Sequence, residues 1–64
     1  MVIKWNQIDC CFIESEDGVY NIDHSDATGL WESFYMGELI GEHQTAAEAK
    51  EHCRRHFKLM RSNI

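Results

Sequence analysis

Hydrophobic and polar positions divide this chain into a strand-like part and a helical part that meet at Thr45. Val2 to Trp5 and Ile8 to Ile13 are rich in β-branched and aromatic residues and carry no helical period, which predicts strands. "ESEDG" at 14–18 predicts a hairpin turn, because Gly18 after Asp17 accepts the positive φ of a tight reversal. In "VYNIDH" the alternation puts Tyr20, Ile22 and His24 on one face, and "SDATG" at 25–29 is a polar loop. "LWESFY" and "ELIGEH" then form a second hairpin about Met36-Gly37.

A different period begins after Thr45. Thr45-Ala46-Ala47-Glu48 fits a capping box, with the Thr hydroxyl accepting from the Glu48 amide and the Glu carboxylate from the Thr amide. At about 100° per residue, Ala46, Ala49, Cys53, Phe57 and Met60 form one apolar stripe that should face the sheet. The small alanines allow close approach near the helix start. The expected fold is α+β: an antiparallel sheet of three to five strands over about 2–43, in the order β-β-β-β-α, packed on a helix over about 45–61. The expected core is Phe12, Tyr20, Ile22, Ile40, Ala46, Ala49, Cys53, Phe57 and Met60, joined by Trp31 and Tyr35 if Ile40 faces the helix.

With the turn at Met36-Gly37, strict alternation places Trp31, Ser33, Tyr35, Glu38, Ile40 and Glu42 on one face. Leu30, Glu32, Phe34, Leu39, Gly41 and His43 fall on the other. Both faces carry large apolar residues, yet one helix covers one face. Either the sheet curls over both, or an aromatic and acidic patch stays open for a partner or a second copy.

Length and charge sharpen that picture. Sixty-four residues make one domain with a small core, and seven aromatic residues supply buried area that argues against disorder. The formal net charge of -5 conceals an asymmetry. Residues 1–44 hold nine acids (Asp9, Glu14, Glu16, Asp17, Asp23, Asp26, Glu32, Glu38, Glu42) against Lys4, a balance of -8. Residues 45–64 hold five bases against Glu48 and Glu51, a balance of +3. Acids early and bases late suit the helix dipole. Lys50, Arg54, Lys58 and Arg61 also make a basic stripe, with two uses open to it: stems covering the sheet edge with heads near its carboxylates, or contact with nucleic acid.

Chemistry finds little foothold. Cys10 and Cys11 are adjacent, so in an extended strand their side chains oppose; three cysteines make no secreted disulfide framework, and burial as small hydrophobes is expected for Cys53 and for one of Cys10 and Cys11. His52 and His56 have the four-residue spacing of helical metal ligands, but His24, His43, Cys10 and Cys11 have no spacing that completes a site. Asp23-His24-Ser25 is contiguous, whereas triads are assembled by tertiary geometry. No catalytic residue, metal or cofactor is expected. No apolar run reaches the length of a membrane span and no leader pattern opens the chain, so a soluble, intracellular protein is expected.

Two resemblances add to these readings. "GELIGEHQTAAEAKEHC" resembles the last hairpin and helix start of AP2-type and tyrosine-integrase arm-binding domains, whose strands read the major groove. Here the corresponding strands carry Glu32, Glu38 and Glu42 where a phosphate-binding surface needs bases. Over residues 20–57, the pattern Tyr20-x-Ile22, Trp31, Tyr35, Gly37-Glu38-Leu39-Ile40-Gly41 and Thr45-x-x-Glu48-Ala49-Lys50, with Cys53 and His56, resembles small proteins of unassigned function from temperate phages and prophages of Gram-negative bacteria. That resemblance implies a bacterial cytoplasmic setting and no known catalytic residue. The expected function is non-enzymatic protein binding through an acidic, aromatic surface of Trp31, Glu32, Phe34, Tyr35, Glu38 and Glu42, which also suits imitation of nucleic acid or inhibition of a host system. The alternatives are nucleic-acid contact by Lys50, Arg54, Lys58 and Arg61, or a homodimer with no separate ligand.

Overall fold

The computed structural model describes residues 3–62, so Val2 of the expected first strand lies outside the described residues. Five antiparallel strands, β1 (Trp5–Asp9), β2 (Phe12–Ser15), β3 (Tyr20–His24), β4 (Trp31–Tyr35) and β5 (Glu38–His43), are followed by helix α1 (Ala46–Ser62). The sheet order β1-β2-β3-β4-β5 is a meander, and the fold is α+β as the pattern predicts. Helix α1 packs on β3, β4 and β5.

Turn chemistry accounts for most of the reversals. Asp17 Oδ1 accepts from the Ser15 hydroxyl (2.7 Å) and the Val19 amide (3.1 Å), which holds its carboxyl below the usual range. Ser15, buried beneath that turn, accepts from the Tyr20 amide (2.9 Å). At the β4–β5 hairpin, Met36 (φ 50°) and Gly37 (φ 87°) both have positive φ, the signature of a type I′ turn. Methionine is an unusual occupant of the first position.

The first hairpin differs from expectation. The run Ile8 to Ile13 is not one strand: the chain reverses at Cys10-Cys11, where the Asp9 carboxylate accepts the Cys11 amide (2.8 Å). An Asx turn of this kind needs no glycine, so the reversal carries little compositional signal. Its consequence is a change of face. Ile13, not Phe12, points into the core, and Phe12 stands on the opposite face beside Asp23.

The core is a cluster of Ile13, Tyr20, Ile22, Ala49 and Cys53, flanked by Trp5, Trp31, Tyr35, Ile40, Ala46 and Phe57. Trp31 and Tyr35 therefore join Ile40 on the helix side. Small residues set the approach: Ser33 lies buried under the helix with its hydroxyl 3.5 Å from the Ala49 carbonyl. Met60 departs from expectation, being 48% exposed. A helix of 17 residues extends about 25 Å, longer than a five-residue strand of about 17 Å, so its last turn outruns the sheet. The Thr45 hydroxyl caps the Glu48 amide (3.1 Å), while the Glu48 carboxylate meets the Thr45 hydroxyl (3.3 Å) and not the Thr45 amide.

Candidate functional site

Two β-bulges decide which side chains share the uncovered face. Between β4 and β5 the register passes from Phe34 opposite Leu39 to Ser33 opposite Gly41, leaving Ile40 as the extra residue. Every position after Ile40 thereby changes face relative to strict alternation. Gly41 and His43 turn toward the helix with Ser33 and Trp31, and Glu42 turns away with Glu32. A second irregularity between Gln7 and Asp9 makes Ile8 the extra residue of β1.

The outer face consists of two cross-strand rows. One runs Asn6, Glu14, Asn21, Phe34, Leu39, so that Glu14 has a neutral amide on either side. The other runs Phe12, Asp23, Glu32, Glu42, with Asp23 opposite Glu32 and Glu32 opposite Glu42. Neighbouring strands lie about 4.8 Å apart, so three carboxylates line up across about 10 Å, with Phe12 at one end and Phe34 and Leu39 alongside. Among the described residues no helix or further strand packs on this face. Like charges directly opposite destabilise a sheet, and this row contains two such pairs.

The expected interaction residues therefore divide. Glu32, Phe34 and Glu42 come together on the outer face. Trp31 and Tyr35 lie on the helix side, Trp31 against His24 (ring centroids 4.8 Å) and Tyr35 against Tyr20 (5.1 Å) and His56 (4.7 Å). Glu38 is exposed at the start of β5, opposite Tyr35. Strict alternation already put Leu39 with Glu32 and Phe34, although the expected interaction residues left it out; Asp23 and Phe12 were missed as members of the face. The alternation Asp23, Asn21 against Ile22, Tyr20 held the signal for Asp23.

The basic stripe lies on α1, on the other side of the sheet from the carboxylate row. Charge separation thus runs through the sheet. Arg54 finds its carboxylate on the helix itself, not on the sheet: Glu51 accepts from its Nε (3.0 Å) and Nη2 (2.5 Å), and also from Arg55 Nε (3.2 Å). These bonds hold the Glu51 carboxyl low, the contact with Arg54 contributing most. Lys50 is half-buried, and the Arg61 guanidinium lies over the Phe57 ring at 5.6 Å.

On the helix side, the bulge also brings His43 beneath His52, ring centroids 4.8 Å apart, at a groove of about 420 Å³ lined further by Glu48, Glu51, Arg55 and His56. Gly41 leaves room for this pair, and His43 Nε2 is buried without a hydrogen-bond partner. His56 instead bonds through Nδ1 to the Tyr20 hydroxyl (2.8 Å), whose pKa burial pushes up to about 12. His52 and His56 therefore serve different neighbours, and among the described residues no three His, Cys, Asp or Glu side chains form a metal-binding group.

Burial, then the charges of His43, His56 and Arg55, lowers the pKa of His52 below the ordinary 6.5. The unfolded chain then binds more protons than the folded one just below that value, so this group's contribution to stability falls as pH drops through 6.5 toward the depressed value. Urea unfolding at about pH 7.5 and about pH 5 is expected to show a loss on acidification that is smaller in His52→Gln. An equal loss in both proteins would assign the pH dependence to other groups.

Among the described residues, no helix is long and apolar enough to cross a membrane. No family model, curated protein or solved structure matches the chain.

Proposed function

We propose that this protein is a small non-enzymatic accessory protein of the phage-encoded kind, working in the bacterial cytoplasm by binding a basic protein surface through the outer face of its sheet. The carboxylate row Asp23, Glu32, Glu42 carries the reading. Each like-charged cross-strand pair costs roughly 0.2–1 kcal/mol, a loss that opposing cations reverse when a partner is bound. Phe12, Phe34 and Leu39 supply the apolar contact such a docking needs. Carboxylates in a row across strands suit a groove that otherwise receives phosphates, which supports a host or phage nucleic-acid-handling protein as the partner.

The alternatives have weaker support. A symmetric homodimer through this face would set the carboxylate row against its own copy. Phosphate contact by Lys50, Arg54, Lys58 and Arg61 competes with the two hydrogen bonds between Arg54 and Glu51.

The test joins stability to binding. Glu32→Gln is expected to raise unfolding free energy by about 0.5–1 kcal/mol, since it relieves both like-charged pairs. Glu32→Lys with Glu42→Lys is expected to weaken binding to an arginine-rich peptide by on the order of tenfold or more at low salt. Glu38→Lys, away from the row, is expected to have a much smaller effect. Equal loss for Glu38→Lys, or no stabilisation by Glu32→Gln, would count against the row.

A further inference from the structure

The tip of the first hairpin places two thiols side by side. Cys10 Sγ and Cys11 Sγ are 3.4 Å apart, Cys10 exposed and Cys11 half-buried, whereas Cys53 is enclosed in the core. The turn, in which the Asp9 carboxylate accepts the Cys11 amide, brings together side chains that an extended strand would send to opposite faces. Two sulfurs bound to one centre at about 2.3 Å each stand about 3.3–3.8 Å apart, for bond angles from pyramidal to tetrahedral. The observed separation lies within that range.

We propose that Cys10 and Cys11 form a bidentate site for a trivalent arsenical, a thiophilic centre held by both sulfurs at the β1–β2 turn. Two thiolates leave most metal cations short of ligands, and among the described residues no third His, Cys, Asp or Glu joins them. A trivalent arsenical brings its own third substituent. With an arsenoso compound, RAs=O, two As–S bonds form and the As=O bond is lost. Both thiol protons leave with the oxide oxygen as water, and no oxidant or reductant is consumed.

The surroundings favour this chemistry over a redox switch. The contact with Cys10, followed by burial and the nearby charges of Asp26 and Asp9, raises the Cys11 pKa from its ordinary value. Adjacent Cα atoms about 3.8 Å apart also lie below the usual disulfide range, so a Cys10–Cys11 bridge would be strained and readily reduced. Condensation with an arsenical gives a neutral product. It places no new negative charge beside Asp9 and Asp26.

The full chain, reduced and mixed with phenylarsine oxide, provides the test by native mass spectrometry. One adduct per chain is expected, formed with loss of one water, stable to excess glutathione and removed by the dithiol 2,3-dimercaptopropanol. Because the second sulfur binds intramolecularly, Cys10→Ser and Cys11→Ser are each expected to weaken retention by on the order of a hundredfold. Both positions lie in the turn, outside the packed core, so far-ultraviolet circular dichroism should match the parent. An adduct that glutathione strips from the parent protein, or that persists in either serine variant, would overturn the assignment.

Discussion

Ile22→Ala is expected to shift the urea midpoint so far that a substantial fraction of the protein is unfolded without denaturant. Ile22 is fully buried at the centre of the middle strand, in one cluster with Ile13, Tyr20, Ala49 and Cys53. Truncating a buried isoleucine costs about 2–5 kcal/mol, through lost transfer energy and the cavity left behind. A chain of this length has about 3–10 kcal/mol in total. The loss is therefore comparable to the whole. Leu39→Ala provides the contrast, since Leu39 is 52% exposed on the outer face and is expected to cost less than about 1 kcal/mol. Urea unfolding followed by tryptophan fluorescence would measure both, and similar midpoints for the two variants would show that the core is misassigned.

The second large effect is expected at Gly41. A Cβ there would lie 2.8 Å from His52 Cε1 and 3.0 Å from His43 Nε2, closer than packed side chains approach. Gly41→Ala must push the histidine pair aside or lift the helix from β5, at about 1–3 kcal/mol. The crowding is specific, so relief should be specific as well. In a His52→Ala background the Gly41→Ala step is expected to cost less than half as much, a coupling that a double-mutant cycle reads directly. An unchanged cost in that background would place the crowding at His43 and not at His52.

Legibility from sequence followed the strength of local signals. The helix is legible because a cap, a period and a charge gradient coincide over one stretch, and the Met36-Gly37 turn because glycine takes its second position. The bulges were hidden, since an extra residue in β5 has no composition of its own and yet changes the face of Gly41, Glu42 and His43. The Cys10-Cys11 reversal was hidden for a related reason: one aspartate side chain replaces the usual glycine. Of the candidate surface, its acidic character was visible in the charge balance, but the alignment of Asp23, Glu32 and Glu42 depends on pairings across three strands. Neither Trp31 nor Tyr35 could be removed from that surface until the helix was assigned to a face.

The nearest-neighbour order of the sheet also bears on how the chain finds its structure. Each strand pairs with the strand next to it in sequence, so every pairing closes a loop of only a few residues. Entropic cost is small at each step, and relative contact order is low for a protein dominated by β-structure. Folding can proceed as a zipper from any of the four hairpins, with helix docking on β3 as the longest closure still to be made. Such a chain should reach its native state faster than sandwiches or barrels whose strands must meet across distant segments.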